Sequence, residues 1–123
     1  MRSRRVALTC AATLVAAGVV TGAMATVTAV PKLHGTIGPG FTISLKNAHG
    51  KKVVTLKHGG YTFIVADKSS IHNFTLNGPG AKNKTITGTG FVGTKTVTVT
   101  LKKGTYKFYC TVHPDITGTF KVT

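Results

Sequence analysis

The chain is predicted to be all-β, a Greek-key β-sandwich of about seven or eight strands, and three observations carry that expectation. Apolar and polar residues alternate in several short runs, turns bearing glycine and proline separate the runs, and Thr and Val dominate the alternating segments. No stretch after residue 30 has helical periodicity of useful length.

In chain order, Val30 to Gly40 reads as a short entry strand or a leader. Phe41, Ile43 and Leu45 share one face of the next strand, with Thr42, Ser44 and Lys46 opposite. Tyr61 to Ala66 is a nearly continuous apolar run, as expected for a central, well-buried strand. His72, Phe74 and Leu76 align on one face; further on, Val97, Val99 and Leu101 alternate with Thr96, Thr98 and Thr100. Tyr106 and Phe108 fall on the face of Cys110, with Lys107 opposite, and Phe120 and Val122 share a face near the end. Gly38-Pro39-Gly40, Asn47-Ala48-His49-Gly50, His58-Gly59-Gly60, Gly78-Pro79-Gly80 and Lys103-Gly104 are the turns between them.

The first 25 residues read as an export signal. Met1 to Arg5 is basic, Val6 to Val20 is rich in Ala, Val and Leu, and Ala23-Met24-Ala25 is a small-x-small cleavage pattern, with Ala29 as a second position. An uncleaved anchor is the weaker alternative, because Thr9, Thr13, Gly18, Thr21 and Gly22 dilute the ~20 apolar residues a span needs. A Sec-type signal is expected. Ser3-Arg4-Arg5 keeps twin-arginine export as the alternative, although Ala7 stands where a bulky apolar residue belongs. The chain thus divides into a signal (1–25), a leader or entry strand (26–40) and one small domain (41–123), and the mature protein is expected to be periplasmic or extracellular.

Sixteen Lys and Arg face two acidic residues, a net charge of +14. Removing Arg2, Arg4 and Arg5 with the signal leaves 13 lysines against Asp67 and Asp115, or +11, and no arginine. Nucleic-acid readers deploy arginine and exposed aromatics, so that class is set aside. Lys51-Lys52 and Lys102-Lys103 flank turns and Lys107 and Lys121 alternate with apolar residues, which describes a solvated surface able to attract an acidic redox partner or an anionic envelope polymer.

Cys10 leaves with the signal, so Cys110 is the single cysteine of the mature chain. A free thiol in an oxidising compartment calls for an explanation, and metal ligation supplies one. His113 follows Cys110 by three residues and His72 lies far upstream at a strand end. One thiolate and two imidazoles are the donor set of a trigonal copper site. Alternation turns His72 and Cys110 inward, and both adjoin loops that converge at one pole of a sandwich. His34, His49 and His58 each precede a glycine and read as solvated turn residues.

Ile71-His72-Asn73-Phe74, together with Tyr106 to Pro114, resembles the plastocyanin/pseudoazurin branch of the cupredoxins, and the likeness extends from about Phe41 to the C-terminus. The resemblance implies a blue-copper sandwich with His72, Cys110 and His113 as ligands, and with Asn73 tying the His72 strand to the ligand loop through Thr111. The family pattern has an axial methionine three residues after the second histidine and two before a glycine. Gly118 is in place, but Ile116 stands where that thioether belongs, and Met1 and Met24 both lie in the leader. The site is then three-coordinate or completed weakly by the Ile71 carbonyl.

The function expected from this reading is one-electron transfer by a monomeric, non-enzymatic protein carrying one copper ion. The alternatives are a copper-buffering protein without redox turnover and a degenerate module on a retained scaffold. A Cys-His hydrolase fits poorly: Cys110 and His113 share one short loop, with no helix N-terminus to activate the thiolate and only Asp67 and Asp115 to orient a base.

Overall fold

The structure, a computed structural model, describes residues 12–23 and 28–123. Residues 12–23 carry no helix or strand and are exposed, and no helix among the described residues is long and apolar enough to cross a membrane. Most of the expected export signal, including Cys10 and the cleavage position at Ala25, lies outside the described residues.

Among the described residues nine strands form two sheets. They are β1 (Lys32–Ile37), β2 (Ile43–Asn47), β3 (Thr55–Leu56), β4 (Gly59–Asp67), β5 (Phe74–Gly78), β6 (Ala81–Thr87), β7 (Gly93–Leu101), β8 (Gly104–Tyr109) and β9 (Thr117–Val122). One sheet runs β2-β1-β4-β7 and the other β3-β9-β8-β5-β6. The segment expected as an entry strand or leader is β1, and it lies inside its sheet, antiparallel to β2 and parallel to β4. The count exceeds the expected seven or eight partly because β3, only two residues long, pairs with β9 at a sheet edge.

The core lies between the sheets. Leu33, Leu45, Phe63, Val65 and Leu101 come from the first sheet, and Phe74, Leu76, Tyr106, Phe108 and Phe120 from the second. Phe74 stacks on Phe108 at 5.8 Å between centroids, and Tyr106 on Phe120 at 5.2 Å. Such pairs add about 0.5–1.5 kcal/mol to what burial supplies. The Tyr106 hydroxyl donates to the Lys102 carbonyl (2.9 Å) and accepts from the amides of Lys102 (2.8 Å) and Gly80 (2.9 Å), which pins the turn before β8.

Three expectations change in detail. β4 is central, between β1 and β7, but its burial alternates, because its outward residues face solvent rather than a covering layer. Phe41 does not share the inward face of Ile43 and Leu45: β2 begins at Ile43, and Phe41 lies in the preceding loop with 67% of its surface exposed. His34 is not in a turn but on β1, where it pairs with Ile64 and Lys46. His58 does lie in a bend, with its amide and its ring Nδ1 both on the Thr123 carbonyl, at 2.8 and 3.0 Å.

Candidate metal centre

Strand register assembles the centre. β5 and β8 are antiparallel neighbours with Thr75 opposite Tyr109. Extending that register past both strand ends brings Asn73 opposite Thr111 and sets His72 beside the loop that Cys110 opens. The Asn73 side chain closes the junction twice, donating through Nδ2 to the Thr111 hydroxyl and accepting the Thr111 amide at 2.8 Å. The Asn73 amide donates to Cys110 Sγ at 3.4 Å.

The loop between β8 and β9 is held from within. The Cys110 amide donates to the Ile116 carbonyl (3.1 Å) and the Ile116 amide to the His113 carbonyl (2.9 Å), so the chain from thiol to second histidine is a closed turn. Ile116 is buried at 6% exposure and belongs to the core cluster, while Ile71 is exposed. Gly118, just beyond the loop, lies so near Phe108 that a Cβ there would overlap the ring. On the other side, the His72 amide donates to the Ser69 carbonyl at 3.3 Å and the Ser69 amide to the buried Asp67 carboxylate at 3.1 Å.

His72, Cys110 and His113 form the group of potential ligands. His72 Nδ1 and His113 Nδ1 are 3.1 Å apart, and each is 3.9 Å from Cys110 Sγ. A point in the plane of that triangle lies about 2.1 Å from all three atoms, within the ~2.0–2.3 Å span of metal–nitrogen and metal–sulfur bonds. The residues therefore fit a metal ion. The two histidines differ in setting: His72 is fully buried, as is Cys110, whereas His113 is half-exposed. His72 Nε2 is also buried without a hydrogen-bond partner, which leaves Nδ1, facing the other donors, as the nitrogen with a role.

Phe41 is the neighbour that sequence reasoning missed. Its ring meets His72 edge-on at 5.3 Å and His113 at 5.1 Å. Strand alternation placed it in the core, and no local signal marks the switch from strand to loop beyond the adjacent Gly38-Pro39-Gly40.

No protein-family model and no curated protein matches the chain. Solved structures do. A rusticyanin mutant shares 23% identity over 75% of this chain and 76% of its own, with a TM-score of 0.50. Rusticyanin from Thiobacillus ferrooxidans gives 23% over the same shares at 0.49, and a Cu(I) amicyanin mutant 19% over 75% and 82% at 0.47. The fold is thus a cupredoxin-like sandwich of two sheets, with a His/Cys/His group at one pole.

Proposed function

We propose that the mature chain is a secreted type 1 copper protein that carries one electron at a time through His72, Cys110 and His113. The observation that supports this most is the triangle of one sulfur and two imidazole nitrogens, drawn from the segment just before β5 and the loop after β8. A soft thiolate with two imidazoles in a trigonal arrangement suits copper, and bound copper would supply one-electron exchange between Cu(II) and Cu(I). Rusticyanin, whose fold this chain shares, is described as a copper protein.

The residues have separable tasks. Cys110 offers a thiolate that its burial protects from oxidation. The Asn73 amide, donating to that sulfur, withdraws charge from it and holds its direction. His72 holds its ring in the core with Nδ1 presented, so metal ligation at Nδ1 would leave the ring proton on Nε2. His113 reaches the same point from the loop and, being half-exposed, is the port through which an electron enters or leaves. The Asn73–Thr111 tie keeps loop and strand together, so the donors shift little between oxidation states. Ile116, buried in the core beside the loop, has no donor atom and would offer a bound ion no further ligand. The lysine excess, on an exported chain, favours an acidic redox partner.

A copper-buffering role without turnover is the second reading, favoured by the isoleucine at 116 and by the absence of methionine after residue 24. Addition of Cu(II) to the domain, followed by visible absorption and EPR, tests the first. An intense thiolate-to-copper band is expected, and Cys110→Ser should abolish it. Copper uptake without that band sinks the electron-carrier reading and leaves buffering.

A further inference from the structure

We infer that Phe41 is the residue that decides which outside ligands reach the metal, an inference that rests on the proposed metal centre. Among the described residues the donor group has three members, so a bound ion is open to a fourth ligand from solvent wherever the protein does not cover it. His72, Cys110 and Ile116 are buried. The half-exposed His113 marks the side nearest to water, and Phe41 stands there. Its ring is 67% exposed, yet its edge lies against both imidazoles, at 5.3 and 5.1 Å, nearly perpendicular to each. It therefore stands between bulk solvent and the two nitrogen ligands.

The loop is built to hold it there. The Gly38 amide donates to the Thr42 carbonyl at 3.0 Å, closing the loop at its base. Gly38 has φ of 73°, and a Cβ at this position would come within 3.0 Å of Ser69 Cβ and 3.3 Å of His72 Cδ2. Only glycine permits the loop to press so closely on the His72 ring. The close approach at Gly38 sets the loop against the buried histidine, and three residues later Phe41 spans from that histidine to the exposed one. Most of the phenyl ring has no core to fill, so its position is explained by the imidazoles it covers. Small anions and free imidazole are the ligand class it excludes.

The experiment titrates sodium azide, and separately imidazole, into the Cu(II)-loaded wild type, Phe41→Ala and Phe41→Leu proteins, with the charge-transfer band and the EPR hyperfine splitting as readouts. Azide should bind Phe41→Ala at least about tenfold more tightly than wild type, a step of ~1.4 kcal/mol. Phe41→Leu should recover part of the exclusion, and the thermal midpoint of the three apo proteins should coincide, because the residue is largely exposed. Equal azide affinity in wild type and Phe41→Ala overturns the inference, as does a matching loss of apo stability that would make Phe41 a packing residue. Should copper load without a thiolate band, the electron-carrier reading fails on its own. The same titrations with Co(II), whose visible bands distinguish four from five ligands, then decide the role of Phe41 separately. Failure of both ions to load overturns both.

Discussion

His72 and His113 present the same ring nitrogen to the same point from opposite kinds of support. His72 comes from the junction of β5 with the core, is fully buried, and adjoins Asn73 and Phe74 in a run of buried side chains. His113 comes from a turn that is closed by its own backbone hydrogen bonds and tied to the neighbouring segment through Asn73 and Thr111, and it is half-buried. The core-side histidine is bound up with folding, whereas the loop-side histidine can be changed at little cost to the scaffold.

The sharpest way to break the comparison is to remove each ring. His72→Ala empties a site in the core, and large-to-small changes there cost about 2–4 kcal/mol. Part of that is offset, by ~1 kcal/mol, because the unpartnered Nε2 disappears with the ring. A net loss of apo stability of about 1–3 kcal/mol is expected, against less than ~1 kcal/mol for His113→Ala. Chemical denaturation of the two apo variants measures both, and equal losses would contradict the division.

Asn73 joins the two regions, so its removal should blur the difference between them. Asn73→Ala deletes the side chain that bonds Thr111 twice, and a loss of about 1–2 kcal/mol is expected, with a broadened or shifted thiolate band when copper is bound. Thr111→Val removes only the hydroxyl partner and should cost less. A Thr111→Val effect as large as that of Asn73→Ala would place the tie elsewhere.

Ile116 tests the loop side at lower cost. A thioether donates density and favours the oxidised ion, whereas isoleucine cannot donate and its bulk keeps water away. Ile116→Met should therefore lower the reduction potential and retain the blue band, with apo stability changed by less than ~1.5 kcal/mol, as for a volume-conserving swap. Voltammetry on both proteins reads the shift. An unchanged or raised potential would mean that residue 116 does not face the metal.

The smallest expected effect concerns the lysine-rich surface. Association with an acidic partner should weaken between low and physiological salt, where the Debye length falls to ~8 Å. A salt-independent association constant would reduce the lysines to a solubility feature.

Much of this was legible in the chain because the relevant signals are local. Period-2 alternation and glycine turns specify strands whatever the rest of the chain does, and the Cys110 to His113 spacing is short enough to fold back on itself. His72 could be linked to that loop because alternation with Phe74 and Leu76 turns it inward, although β5 itself begins at Phe74 and His72 lies just before it. What local pattern could not show is pairing between distant segments. Whether β1 is a leader or an interior strand depends on its hydrogen bonds to β4, some thirty residues on, and nothing within Lys32–Ile37 encodes them. His34 and Phe41 were misplaced for the same reason: one glycine-flanked histidine turned out to lie in a ladder, and one phenylalanine in alternating register lay in a loop. The sequence by itself marked most of the strands, though not β3 or β6, and supplied the Cys110–His113 spacing, the upstream His72 and the excess of lysine. The tertiary structure alone decided which strand ends share a pole, how near the three candidate donor atoms come, and that the Phe41 ring lies against both imidazoles, because those distances arise only when both sheets close on a common core.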